Sequence, residues 1–493
     1  MGIVERGLTQ FISRAGKEPG NDMPYGILAE EGKRREIPII EFSLPHEIRK
    51  DLSKEQLLLL NELRRVSRRL GDLYLVQKNL ENLDFWPKDI TTLEIEEASK
   101  ENSGISSPYT YVERDSKGHL RTVPIHEVFK DMIRDRQIVA SLKKAADLSG
   151  KGKTRDLDLQ AYLRARARAF ENGNWEYSES LWLEMSEQPK IFIVAGPYDN
   201  YLDPHKIKYA WESWVGVLDK PETESAQQFV KEFLAWWQTK TQLETPKVGV
   251  RIENTVMMSG QAADYRWMGN SLPCQMGLRQ KYGSVFFIFK PVFDETFQEK
   301  RLPAYRSTID SVHRAGVTDE IVRKISLNKN IAHEISHSLV ALDVHERLGK
   351  HSAWVKELYC DLLALKGNYA IAKSKREKEL AFATAFAEGK LEYNAYMQNN
   401  SRFEYYIGDS IVLNFCLQKE SIKINDGRIT WNDPNEVIGH IDELFEEVDK
   451  IQKNGEPSDA YELSNRHFDP AVYRQIVSET KIPAFLLRRP SKS

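Results

Sequence analysis

Leu59, Leu60, Leu63, Val66 and Leu70 recur at helical spacing behind Ser53, and Gln56 stands three residues after that serine. This predicts a core-facing helix whose first turn is closed by a capping box. Asp158–Phe170 (DLQAYLRARARAF) predicts another helix. Its arginine run is compatible with phosphate binding, but a solvated helix face accounts for it more simply. Ile191–Gly196 is a continuous apolar run ending in Gly-Pro and reads as a buried strand; a helix is expected near Ala210–Val217, broken by Asp219-Lys220-Pro221. Ser225–Trp237 places Phe229, Phe233, Leu234 and Trp237 on one side of an amphipathic helix. Segments 247–252 and 285–289 read as strands, 98–107 as a loop and 108–112 as a short extended piece. From about Ile309 to residue 420 the pattern is almost wholly helical, so the chain shifts from mixed α/β to α.

A length of 493 residues allows two to four domains or one large two-lobed unit. Apolar residues at 41% and charged residues at 29% describe a globular protein with a substantial core. Lys+Arg 70 against Asp+Glu 73 leaves a net charge of -3, which disfavours a strongly basic nucleic-acid binder. The 20 tyrosines, 20 phenylalanines and 10 tryptophans suit a large core first and a groove lining second. Cys274, Cys360 and Cys416 lie far apart with no CxxC pair, so a disulfide scaffold and a zinc ribbon are both ruled out and a reducing compartment fits. The first six residues carry no apolar signal-peptide core, and Arg6 stands where a myristoylation motif needs Ser or Thr. The longest apolar runs, such as Val285–Phe289, are too short to span a bilayer, and the expected location is cytoplasmic.

Chemistry is concentrated at His333-Glu334-Ile335-Ser336-His337, an HExxH. On a helix, histidines four residues apart project from one face and can grip one zinc ion. Glu334 lies about a quarter turn away, where its carboxylate can take a proton from the attacking water. Glu357 follows His337 by twenty positions and is the candidate third ligand. Asp361, one helical turn further, is placed to accept the free ring N–H of a ligand histidine. Two His and one Glu leave a fourth coordination position open, as catalytic zinc sites require. His345 and His351 read as surface histidines, and Cys360 as a small buried apolar residue. No Gly-rich phosphate loop, nucleophile elbow or dinucleotide fingerprint occurs.

With these residues in view, the chain resembles the dipeptidyl peptidase III family of zinc peptidases, in its shorter bacterial form. The resemblance rests also on Ser107-Pro108-Tyr109-Thr110 with Arg114-Asp115, Tyr162–Arg166, Tyr177–Ser180 with Trp182, and Gly196–Tyr201 with Glu212, and runs from about residue 60 to 420. Most members carry a six-residue HExxGH; HEISH is a five-residue variant. The resemblance implies that Tyr201 donates to the oxyanion, and that Asp199 and Glu212 hold the substrate's free amino terminus. The family's Asn-x-Pro-Asn strand corresponds to Ser271-Leu272-Pro273-Cys274, which puts Ser271 and Cys274 at the substrate-binding asparagine positions. The family's substrate-contacting histidine falls at Tyr406.

The implied fold is α+β, mostly helical, with two lobes separated by a wide cleft. Residues 1–219 would form the mixed α/β lobe, joined by about 246–300 and the C-terminal tail. Residues 220–245 and about 301–470 would form the helical zinc-binding lobe. The expected activity is zinc-dependent hydrolysis of short peptides with dipeptide release from the amino terminus, one Zn²⁺ per chain, and no nucleic-acid or membrane partner. The alternatives are an aminopeptidase or broader oligopeptidase, or a zinc-containing peptide-binding protein with weak or no turnover.

Overall fold

The computed structural model describes residues 27–30, 33–36, 38–79, 84–152, 155–185, 188–399 and 402–476. The readings of the first residues and of the chain end beyond 476 lie outside these. The chain divides into two compact units, Met1–Lys220 with Arg251–Val292, and Pro221–Val250 with Phe293–Ser493.

The first unit is built on a six-stranded sheet. Its strands are β1 (Ile39–Glu41), β2 (Ile191–Tyr198), β3 (Ala210–Leu218), β4 (Val248–Gly260), β5 (Gly269–Leu272) and β6 (Ser284–Phe289). Their order is β2-β3-β4-β6-β5, with β1 pairing β4. The helix expected near Ala210–Val217 is thus a central strand, hydrogen-bonded antiparallel to β2 on one side and β4 on the other. Both faces of β3 are covered, so apolar residues occupy successive positions and the alternation that marks a strand is erased.

Helix α1 (Lys54–Asn79) packs on β2 and β3 and on α2 (Ile138–Ser149), which in turn packs on α3 (Leu157–Asn172). The capping box at the start of α1 is formed: Ser53 N–H donates to Gln56 Oε1 at 3.0 Å, and Gln56 N–H to Ser53 Oγ at 3.2 Å. Helix Thr92–Glu101 takes in the first part of the segment expected as a loop. The arginines of α3 do not all face solvent. Arg164 and Arg168 are exposed, whereas Arg166 is fully buried and ion-paired with Glu179 of α4 (Trp175–Leu183). The rings of Tyr162, Trp175 and Tyr198 surround its guanidinium at 5.5, 5.8 and 5.6 Å. Trp182 Nε1 and the Tyr198 hydroxyl complete the shell around Glu179. Aromatic residues fill this core, with Phe170 stacked on Trp211 and Trp214 edge-on to Phe287 and Phe289.

The second unit is helical. It begins with α5 (Lys220–Thr241), which buries Phe229, Phe233 and Trp237 as its amphipathic pattern requires. Lys220 and Pro221 open this helix rather than end one; proline is tolerated in a first turn, where its missing N–H costs nothing. The remaining main helices are α6 (Asp319–Ser336), α7 (Ser352–Ile371), α8 (Lys375–Asn399), α9 (Phe403–Gln418) and α10 (Pro434–Asn454). Helix α7 is apolar almost all round because α6, α8, α9 and α10 all pack on it. Its buried leucines, Leu358, Leu362, Leu363 and Leu365, contribute roughly 1.5–3 kcal/mol each. A Cβ on Gly408 would meet Leu358 Cβ at 3.3 Å, so the missing side chain sets how closely α9 approaches α7 beside Glu357.

The C-terminal tail was expected in the first lobe, but residues 471–476 pack on the second unit. Tyr473 donates its hydroxyl to the Asp409 carbonyl at 3.2 Å, and Lys390 Nζ caps the carbonyls of Tyr473 and Ile476 at 2.7 and 3.0 Å. Among the described residues no helix is long and apolar enough to cross a membrane.

Candidate active site

Helix α6 starts at an N-cap threonine, Thr318, and ends at the HEISH motif. His337 keeps right-handed helical geometry and opens a 3-10 turn that continues the helix, so the four-residue spacing of the histidines is preserved. Their ring centroids lie 4.9 Å apart at 85°. From α7, Glu357 Oε2 comes within 3.2 Å of His333 Nε2 and 3.7 Å of His337 Nε2. One donor atom from each of the three residues lies within 4.8 Å of the others, the only such group among the described residues. Glu357 Oε2 is buried without a hydrogen-bond donor. Two imidazole nitrogens and a carboxylate oxygen at the negative end of a helix dipole fit a divalent zinc-type ion. His345 and His351 do not join the group.

The surrounding charges are ordered. Asp361 Oδ1 stands 3.0 Å from His333 Nδ1, the contact its spacing predicted. The same oxygen is 3.2 Å from Lys329 Nζ, which reaches Glu388 at 2.6 Å, and Arg301 Nε lies 3.3 Å from the other Glu388 oxygen. Burial opposes ionisation of Asp361, but Lys329 and His333 outweigh it and hold the carboxyl well below its usual range. Burial likewise opposes, and Arg301 and Lys329 overcome, in holding Glu388 down. Glu357 is lowered against its burial by the two histidines. Burial lowers His337 to about 4, which leaves its imidazole neutral and able to ligate. For His333 burial also opposes the charge, but Asp361 and Glu357 prevail and raise it. Lys329 and Glu388 were missed in the sequence, although Lys329 precedes His333 by the same four residues that separate the histidines.

Glu334, the candidate base, is half-buried on α6. Tyr406 is not a substrate contact: it is 1% exposed, its hydroxyl donates to the Pro470 carbonyl at 2.7 Å, and its ring stacks on Tyr396. The preceding residue lies beside the candidate ligands instead, with the Tyr405 ring 6.1 Å from that of His333.

In the first unit, Asp199 at the end of β2 and Glu212 in β3 come together around Asn270. Asn270 Nδ2 donates to Asp199 Oδ2 at 2.7 Å and approaches Glu212 Oε1 at 3.5 Å; Cys274 Sγ donates to Asp199 Oδ1 at 3.4 Å. Glu212 Oε2 is buried with no hydrogen-bond partner. Burial raises both acids, and the charge of Asp199 raises Glu212 further. Asp199 also holds a left-handed backbone, φ 46°, an uncommon conformation for a residue other than glycine. Ser271 is on the opposite face of β5 from Asn270, and its carbonyl accepts from Arg279 Nη2 at 2.7 Å. The acids therefore meet Asn270 and Cys274, not the expected Ser271. Tyr201 is 52% exposed, its ring 5.3 Å from Tyr265 and 5.4 Å from Trp267.

Residues 72–236 match the model of peptidase family M49, a metallopeptidase family. The match ends before HEISH. That fold is shared with dipeptidyl peptidase III from Caldithrix abyssi, at a TM-score of 0.73 and 18% identity, over 90% of this chain and 97% of that one. It is shared also with dipeptidyl-peptidase III from Corallococcus sp. strain EGB, at a TM-score of 0.71 and 18% identity, over 88% and 92% of the two chains. No curated protein matches the sequence. Family match and fold agree: residues 72–236 match peptidase family M49, and the fold as a whole is that of the dipeptidyl peptidase III structures, which together support a peptidase.

Proposed function

We propose that the protein is a zinc-dependent exopeptidase that releases dipeptides from the amino terminus of short peptides in the cytoplasm. The observation that carries this reading is the convergence of His333, His337 and Glu357 beside Glu334. When bound, zinc supplies Lewis acidity toward the scissile carbonyl and the attacking water. The Glu334 carboxylate accepts a proton from that water and passes it to the leaving amine. Asp361 holds His333 in the tautomer whose Nε2 faces the metal. Tyr201 is the proposed hydrogen-bond donor to the developing oxyanion.

Asp199 and Glu212 are the proposed receptor for the substrate's ammonium group. Two buried carboxylates hydrogen-bonded by the neutral side chains of Asn270, Cys274 and Gln261 gain from a cation that donates to both. Cys274 and Ser271 in place of the family's two asparagines favour a second reading, an aminopeptidase or broader oligopeptidase. Mass analysis of products from free-amino and N-blocked peptides of equal length separates the two. Dipeptides released only from free-amino peptides are expected. Equal cleavage of blocked peptides would sink the exopeptidase assignment while leaving the metallopeptidase class intact.

A further inference from the structure

One turn of α7 carries Glu357, Cys360 and Asp361, at helical positions i, i+3 and i+4 on one face. That turn meets both histidines of α6. Glu357 faces the two Nε2 atoms, Asp361 faces His333 Nδ1, and Cys360 Sγ lies 3.3 Å from His337 Nδ1. A ligand histidine binds through one nitrogen, and the partner of its other nitrogen fixes which one is available. Such partners are carboxylates, backbone carbonyls or waters; here the second histidine faces a thiol that is 0% exposed.

We propose that Cys360 is a positioning residue for His337, an inference that rests on the zinc reading above. Its sulfur accepts the Nδ1–H, which fixes the tautomer and ring orientation that present Nε2 toward Glu357. Sulfur is a weak acceptor, so the two histidines are held unequally: His333 by a carboxylate braced by Lys329, His337 by a neutral thiol. A purely apolar Cys360 would fill the same space without governing metal affinity.

The test is zinc affinity, measured by competition with a chromophoric chelator on metal-stripped full-length protein, together with the visible spectrum of the cobalt-substituted form. Cys360→Ala is expected to weaken zinc binding about 10-fold and to shift the cobalt bands, since removing such partners typically costs on the order of 10–100-fold. Cys360→Ser, which keeps an acceptor, should stay within about 3-fold of wild type, and Cys360→Val, which keeps the volume and removes the acceptor, should resemble alanine. Wild-type affinity in both Cys360→Ala and Cys360→Val, or recovery with valine but not serine, would overturn the proposal. Should the alanine variant fail to fold, the serine and valine pair decides on the same criterion. A wild-type chain that binds no zinc would remove the zinc reading itself, an outcome distinct from equal binding by all four proteins.

Discussion

Each unit buries a cluster of carboxylates, and the two clusters are charged in opposite ways. In the second unit Glu357, Asp361 and Glu388 sit among Lys329, Arg301 and two histidines, which hold all three below the ordinary carboxylate range. Asp409 is that unit's exception: burial and the nearby Asp361 push it up. In the first unit Asp199 and Glu212 are hydrogen-bonded by the neutral groups of Asn270, Cys274 and Gln261, burial outweighs the Arg279 charge that acts on Asp199, and both rise. The same residue type thus makes a frame held toward its ionised form where cations are in direct contact. Where burial outweighs the nearby charge, it makes a pair whose charged form a cationic ligand would favour.

The sharpest way to break this contrast is to remove the built-in cation. Lys329→Met leaves Asp361 and Glu388 buried without their shared partner and should destabilise the protein by about 3–5 kcal/mol in urea unfolding. Glu212→Gln should do the reverse for folding, leaving stability unchanged or slightly higher. It should cost about 2 kcal/mol of binding for free-amino peptides, a KM rise of roughly 30-fold, with N-blocked peptides unaffected. An equal stability loss in both variants would erase the distinction.

The pH dependence of the acidic pair follows from its sign. Raised acids bind protons in the folded protein that the unfolded chain has already released, so their contribution to stability is present at low pH. It is lost as pH rises from the ordinary carboxylate value through the raised ones. Binding of an ammonium group needs the ionised form. Affinity for free-amino peptides should therefore fall as pH drops through a range above that where an exposed carboxylate titrates. Glu212→Gln should flatten that profile, and an unchanged slope would detach the pair from substrate binding. The smallest effect expected is at Tyr406→Phe: about 1 kcal/mol of stability for the lost Pro470 hydrogen bond, with kcat/KM unchanged.

The candidate metal site was legible in part because helical spacing is a strong constraint. The twenty-position step from His337 to Glu357 carries no such constraint, but His333 with His337, and Glu357 with Asp361, are pairs one turn apart. The Ser53 capping box was legible for the same reason. Ala210–Leu218 was not, because burial on both faces removes the alternation that distinguishes strand from helix. Arg166 was misplaced on a solvated face because nothing local announces Glu179 and three aromatic rings arriving from other elements. Tyr405 and Tyr406 are sequence neighbours about 100° apart on a helix, so a one-residue uncertainty exchanged a residue beside His333 for one in the core. Asn270 was passed over for Ser271 by the same one-residue margin on a strand, where it inverts the face.

Metal content and turnover, measured together on wild type and Glu334→Gln, bear most directly on the peptidase chemistry. The expected result is one zinc per chain in both proteins, with peptide hydrolysis reduced about 10³-fold in the variant. A wild-type chain without zinc, or a Glu334→Gln variant as active as wild type, would contradict the assignment of His333, His337, Glu357 and Glu334 as a catalytic zinc centre.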